Sequence, residues 1–305
     1  MNTNLRDIQY FAVVAEHGHL GRAAESLGLS QPALSMSLRR LERFMQTKLV
    51  KRTPKGVDLT ASGEAVFAHA RRLRLSVEDI SREVADLSQG RAGHLRIGTA
   101  AGFAIHLMPT ACAALLKEAP KATLKITIGD RNASLTGLRN GELDLAIITM
   151  QAPLHDDMVE ERLYDEEYVV YAASNHRLAK HRQLTLADLT QERWAMGAIN
   201  GPSERRLSQA FADADLPAPI ITIETTNLHL RHHLVAASDL LAFSPRRVVR
   251  YAAAHLQVAE LRVKDLAYTR RVGVAYRKDA YLSPAAKRFI EILKATAKEI
   301  AAEKP

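Results

Sequence analysis

Between Leu20 and Leu49 the apolar positions fall into two short helical runs separated by a break at Gly28. The second run opens on Ser30, whose hydroxyl suits a helix N-cap, and carries Pro32 in its first turn, where a missing N–H costs nothing. Leu34, Leu38, Leu41 and Met45 then mark one apolar face, while Ser35, Met36, Arg39, Arg40 and Arg43 fall largely off it. This spacing predicts a helix-turn-helix. Upstream, Leu5, Ile8, Phe11, Ala12 and Ala15 recur at helical spacing as far as Gly18, which predicts a first helix packed beneath the pair. Downstream, the stretch from Lys51 to Leu59 sets Pro54 and Gly56 between two short runs, the pattern of a β-hairpin wing.

From Thr60, a candidate cap, to Gly90 no proline intervenes. Val66, Ala70, Leu73, Val77, Ile80, Val84 and Leu87 alternate spacings of four and three, a narrow heptad seam of about three repeats and about 40 Å that asks for a partner helix. The alternative is one amphipathic helix lying on its own chain. After the Gln89-Gly90-Arg91-Ala92-Gly93 linker, short apolar runs alternate with helical patterns as far as a last helix from Pro284 to Ala301. That alternation predicts an α/β fold with largely parallel sheets, and its length of about 210 residues favours two lobes over one.

Charge sharpens the picture at the N-terminus. Residues 1–60 hold nine Lys or Arg against five Asp or Glu, and six of the nine bases lie between Arg39 and Arg52. A basic cluster on a helix-turn-helix is the footprint of a duplex binder. Gln31, Ala33, Ser35 and Met36 supply small or polar groups for base edges, with Arg39, Arg40, Arg52 and Lys55 placed for phosphates. A helical pair with no DNA role is the competing reading. The chain has no apolar run of membrane-spanning length, and charged residues stand where a signal peptide needs an apolar core. With Cys112 as the one cysteine no intrachain disulfide can form, and the cytoplasm is the expected compartment.

The segment resembles a known family. Ala23-Ala24, Leu27, Leu29-Ser30-Gln31-Pro32-Ala33-Leu34-Ser35, Leu38, Leu41-Glu42, Leu49, Arg52, Leu59-Thr60 and Gly63 are similar to the N-terminal signature of LysR-type transcriptional regulators over about sixty residues. Met45-Gln46 and Val50 stand where the family usually has Leu-Gly and Phe, and Gly21 where Thr or Ser is commoner. The resemblance implies an N-terminal winged helix-turn-helix DNA-binding domain (1–60, with Ser30 and Pro32 in the DNA-contacting segment) and a dimerising linker helix with hinge (61–91). It further implies a C-terminal α/β, two-lobed, periplasmic-binding-protein-like effector domain, with lobe I at 92–163 and 267–302 and lobe II at 164–266. The implied partners are double-stranded promoter DNA, a small-molecule effector, a second copy in a homodimer that pairs into a homotetramer, and RNA polymerase; no membrane and no cofactor are implied.

Ligands of parallel α/β sheets bind beyond the carboxyl ends of strands, near helix N-termini. That rule selects Thr99, Ala100, Ala101, Gly102 and Phe103 after the first strand, Gly129 with Asp130 and Arg131 after the second, and Thr149 after the third. In the other lobe it selects Asn200, Gly201, Pro202 and Ser203, and then Thr225, Thr226 and Asn227. Hydroxyl and backbone donors there suit a small carboxylate, an acidic metabolite, while Ala100 and Ala101 leave space for an apolar body. For Arg131 a surface ion pair with Asp130 or Glu142 is the expectation. His229, His232 and His233 share a helical spacing able to hold a metal, yet a solvated helix face is the expectation, and Cys112 reads as a small buried hydrophobe. Asp156-Asp157 and Glu160-Glu161 read as a solvated acidic loop. No nucleophile elbow, P-loop, dinucleotide-binding glycine pattern or paired metal motif is present, so the chain is not expected to be an enzyme. A solute-binding protein or enzyme with an oligomerising helical N-terminus is the alternative.

Overall fold

The computed structural model describes residues 5–54, 56–89, 93–151, 156–198 and 201–302. The chain divides into two compact units, residues 1–89 and 90–305.

In the first unit, α1 (Leu5–His17), α2 (Leu20–Ser26) and α3 (Gln31–Phe44) bury Phe11, Val14, Ala23, Leu34, Leu38 and Leu41 in one core. Gly28 takes φ +62°, the left-handed turn that ends α2, and Ser30 Oγ accepts the Ala33 N–H at 3.3 Å to start α3. Strands β1 (Val50–Thr53) and β2 (Gly56–Leu59) pair antiparallel as the wing, and the Val57 N–H ties it to the Gly18 carbonyl at 2.9 Å. Thr60 Oγ1 accepts the Gly63 N–H at 3.0 Å and caps α4 (Ala61–Gln89), on which Val77, Ile80 and Val84 stand exposed. The start of the expected seam lies on its own chain, Val66 packing against the core and Ala70 being buried, and only the later members are exposed.

In the second unit, β3 (His94–Thr99) lies between β4 (Thr123–Ile128) and β5 (Leu145–Met150), all three parallel. Next to β5 runs β11 (Thr269–Arg277), antiparallel to it and to the first part of β6 (Met158–Ala173). Beyond Glu167, β6 changes partners and pairs antiparallel with β9 (Ala242–Pro245) and β10 (Val258–Leu261). One strand therefore runs through both lobes. A separate parallel pair, β7 (Arg193–Met196) and β8 (Ile220–Glu224), completes the strands.

The period of two along each strand distributes side chains to two faces. In β5, Leu145 and Ile147 join α5 (Ala101–His106), α6 (Met108–Glu118) and α11 (Pro284–Ala302) in one core, while Ala146 and Ile148 meet α7 (Arg131–Asn140) on the other side. In β6, Tyr168, Val170 and Ala172 pack with Trp194 and Phe211, the latter on α8 (Pro202–Asp213). Val169 and Tyr171 point the opposite way, toward α9 (Leu228–Ala236) and α10 (Arg246–Ala253).

Three expectations change. The strands are mixed, not largely parallel: β6, β9, β10 and β11 all pair antiparallel, because hydropathy marks a strand without giving its direction. Glu160 and Glu161 belong to β6 and not to a loop; Glu161 meets Lys294 Nζ at 2.5 Å and the Tyr276 hydroxyl at 2.9 Å. Helix α10 has no counterpart in the sequence pattern, its arginines masking a short apolar face of Val248, Val249 and Ala252.

Candidate functional site

The N-terminal unit presents α3 with Ser30, Gln31, Pro32, Met36, Arg39 and Arg43 exposed and Ala33 and Ser35 half-buried. Arg39 and Arg43 have no ion-pair partner among the described residues, whereas two other bases of the cluster are held internally. Arg40 grips the buried Asp7, and Lys48 Nζ lies 2.7 Å from Glu42, whose other oxygen accepts the Leu49 N–H. Lys51 and Arg52 are exposed on β1, and Lys55 lies outside the described residues. Among the described residues the exposed bases of the cluster without an ion pair are thus Arg39 and Arg43 on the helix and Lys51 and Arg52 on the wing.

In the C-terminal unit a cavity of about 490 Å³ opens where β6 changes partners, beside the start of β11. Ala100, Ala101, Gly102 and Phe103 line one side at the start of α5, with Thr149 at the end of β5. Gly201 and Pro202 at the start of α8, and Thr226 before α9, line the other. Five of the expected positions do not line it: Thr99, Gly129, Ser203, Thr225 and Asn227. Thr99 is fully buried at the end of β3, its carbonyl accepting the Gly129 N–H at 3.0 Å, and Thr225 Oγ1 accepts from Asn227 N–H as a local turn. Asn200 lies outside the described residues.

Four guanidinium groups face this space: Arg131, Arg205, Arg231 and Arg270. Arg131, expected at the surface, faces the cavity, and its Nε donates to the Thr149 carbonyl at 3.1 Å. Arg270 donates to the Tyr168 hydroxyl at 2.9 Å and to Thr149 Oγ1 at 2.5 Å, and Arg231 donates to Ser244 Oγ at 3.1 Å. Arginine's planar donors suit carboxylates, and a recess walled by four of them favours an anion.

At the cavity floor the even-numbered face of β6 carries Tyr164 into the first core, Glu166 into the cavity wall and Tyr168 into the second core. Glu166 is 1% exposed, and burial foremost pushes its carboxyl up to about 7 despite nearby Arg247 and Arg270. His106 Nε2 lies 3.4 Å from its Oε1. The His106 Nδ1–H donates to the Gly102 carbonyl at 2.8 Å, which leaves Nε2 to accept the Tyr164 hydroxyl at 2.8 Å. Burial pulls His106 down to about 4, so the ring is neutral near pH 7.

Sequence reasoning does not single out Arg205, Arg231, Arg270 or Glu166. The arginines are scattered along the chain and only topology gathers them. Glu166 leaves one trace, a charge at the apolar period between two tyrosines. His232 departs from the solvated face expected of it: it is 3% exposed, edge-on to Tyr171 with ring centroids 5.7 Å apart. Among the described residues no group of three or more metal-ligating side chains occurs. Cys112 is half-buried against the first core, and burial raises its thiol.

Comparison with known proteins accounts for both units. Residues 5–64 match the model of the bacterial regulatory helix-turn-helix protein, lysR family, and residues 88–298 match the LysR substrate binding domain. The SDS degradation transcriptional activation protein of a Pseudomonas strain is 31% identical over 288 residues, 93% of each chain. A cysteine-to-aspartate variant of full-length OxyR from Pseudomonas aeruginosa superposes with a TM-score of 0.66 at 24% identity, over 98% of this chain and 95% of that one. Full-length CbnR complexed with its target DNA gives 0.62 at 21%, over 96% and 99%. Relatives and folds alike are transcriptional regulators and not enzymes. This chain belongs to the LysR family: it is a DNA-binding transcriptional regulator with an effector-binding domain.

Proposed function

We propose that a small acidic metabolite binds between the two lobes and thereby changes how the protein holds promoter DNA. The observation that carries this reading is the set of four arginines facing the cavity, with Thr149 and the N-terminal turns of α5 and α8 beside them. Ligand binding favours one relative angle of the lobes, and the paired α4 helices of a dimer, or of a dimer of dimers, pass the change to the recognition helices. Coupling of this kind is worth about 1–3 kcal/mol, enough to alter promoter occupancy or bending from several-fold to a hundredfold. RNA polymerase is the further partner and the cytoplasm the place of action. Working domain limits are 1–60, 61–91, 92–163 with 267–302, and 164–266.

Selection of duplex fragments from genomic DNA at fixed moderate salt, with and without a panel of carboxylic acids, tests the reading. The expected result is an AT-rich interrupted inverted repeat whose affinity or bending shifts with one acid, and loss of that shift in Arg270→Ala with DNA binding retained. Weak, sequence-independent and salt-labile binding would instead return the N-terminal unit to an oligomerising role.

A further inference from the structure

Glu166 is a buried acid that accepts no hydrogen bond among the described residues, its nearest ring nitrogen being His106 Nε2 at 3.4 Å. Its Oε1 is shielded from water. An acid in that position costs free energy unless something completes it.

The neighbouring groups direct their hydrogen bonds elsewhere or do not reach it. On α5, the one N–H of His106 goes to Gly102, and its free nitrogen already accepts from Tyr164. On α10, Arg247 lies over the Tyr164 ring at 5.3 Å and donates to the Ile300 carbonyl at 2.7 Å. On β11, Arg270 is directed to Tyr168 and Thr149. On β6 itself, the Tyr164 hydroxyl donates to His106, while that of Tyr168 accepts from Arg270 and does not donate to the carboxyl. Glu166 lines the cavity, so a molecule that fills it can supply the missing donor.

The other acid in the lining, Asp130, accepts the Ala133 N–H as the cap of α7, which leaves Glu166 as the acidic counterpart to the four arginines. We infer that the effector is amphoteric in its hydrogen bonding: a small anion, held by the arginines, that also carries an ammonium or hydroxyl group donated to Glu166. Amino- and hydroxycarboxylates are the simplest members of that class. The inference rests on the acidic-effector reading and narrows it. Glu166 is then a specificity-determining residue, because a site with an unanswered buried acceptor rejects the twin lacking the donor far more strongly than a shape difference would.

The test measures binding to the full-length protein by calorimetry, with probes that differ only in the donor: succinate, malate and aspartate, and likewise 3-phenylpropionate, phenyllactate and phenylalanine. In at least one set the donor-bearing member is expected to bind about tenfold or more tightly than its twin. Glu166→Leu is expected to close that gap, and the isosteric Glu166→Gln to abolish the ammonium preference while retaining binding of the hydroxyl probe. Affinity for the ammonium probe is expected to rise up to about tenfold from pH 6 to 8 as Glu166 ionises. Equal binding of the twins, or a gap unchanged in both variants, would overturn the inference while leaving the acidic-effector reading in place. So would affinity falling with pH, which marks Glu166 as the donor. Binding of no carboxylate in either set would overturn both.

Discussion

Arg40 holds Asp7 with two contacts, Nη2 to Oδ1 at 2.6 Å and Nε to Oδ2 at 3.1 Å, so that the recognition helix is fastened to α1 by one of its own basic residues. Ser37, one turn before Arg40, donates to the same carboxylate. The Arg40 hydrogen bonds first, and that of Ser37 after them, hold Asp7 below its ordinary 3.8 against the opposing effect of burial. A depressed carboxylate stabilises the fold above its unfolded value, and that contribution is lost as pH falls through the folded one. Asp7→Asn is therefore expected to lower stability by about 1 kcal/mol at neutral pH, a value kept small because Arg40 is solvent-screened, and to flatten the acid side of the unfolding profile below about pH 4. Urea titrations between pH 3 and 7 check this.

Arg39 is exposed like its neighbour but has no ion pair among the described residues. Arg39→Ala should leave the melting temperature in place, weaken DNA binding across all sequences and reduce the slope of log affinity against log salt by about 1. An unchanged slope in a salt titration of the two proteins would take Arg39 out of the contact set.

Gly63 stands in the first turn of α4, where alanine is normally the better helix former by up to about 1 kcal/mol. Here a Cβ would lie 1.9 Å from the Leu49 carbonyl oxygen, the same oxygen that accepts the Thr60 N–H at 3.0 Å. The clash is with backbone and cannot be relieved by a side-chain rotation. Gly63→Ala is thus expected to lose more than about 2 kcal/mol, reversing the usual sign, and a thermal melt of the isolated variant decides it.

Gln46 occupies the left-handed region at φ +52°, just past the end of α3, where the family commonly has glycine. The Gln46 N–H still closes the helix end on the Arg43 carbonyl, at 3.3 Å. Gln46→Gly is expected to raise stability by roughly 0.5–1 kcal/mol, the relieved strain exceeding the added chain entropy. A denaturant midpoint that falls would show that the Gln46 side chain contributes more than its backbone costs.

How much of this is legible in the sequence depends on the range of the interaction concerned. Gly28, Ser30 and Pro32 announce the turn and the start of α3 because capping is settled within a few residues. The antiparallel course of β6 and β11 is a pairing over about a hundred positions, and nothing local encodes it. In the same way Arg40 reads as one base among six until α1 brings Asp7 to it, and the arginines of the cavity come from four separate elements. The acidic run Glu160 to Glu167 has the composition of a loop because ion pairs, not apolar contacts, cover much of that strand. Its buried member, Glu166, is hidden among half-buried and exposed ones.

Val77, Ile80 and Val84 are 40%, 60% and 58% exposed on α4, a stripe whose remaining burial would stabilise a pair of chains by roughly 0.7–1.5 kcal/mol per isoleucine or valine. Ile80→Glu with Val84→Glu is expected to shift the protein to monomer in light-scattering measurements and to lower affinity for an inverted repeat by tenfold or more, while a single half-site is bound as before. A dimer that persists in the double variant would assign the pairing to another surface.

His106 gives the effector domain a distinct acid response. Burial foremost lowers its folded value to about 4 from 6.5, so the unfolded chain takes up a proton between those values that the folded chain refuses. Stability from this group is therefore complete above about pH 6.5 and is lost as pH falls toward 4, by roughly 2–3 kcal/mol. Glu166 acts in the opposite direction, since a carboxyl raised to about 7 makes the folded state bind the extra proton between 4.5 and 7. Wild type is expected to show little net pH dependence from the pair across that range, because the two contributions offset. His106→Gln leaves Glu166 alone, so the variant should become more stable relative to wild type as pH falls from 7 to 4.5, by up to the same 2–3 kcal/mol. Urea midpoints at pH 4.5, 5.5 and 7 measure it, and a constant difference across the three would overturn the burial-driven shift of His106.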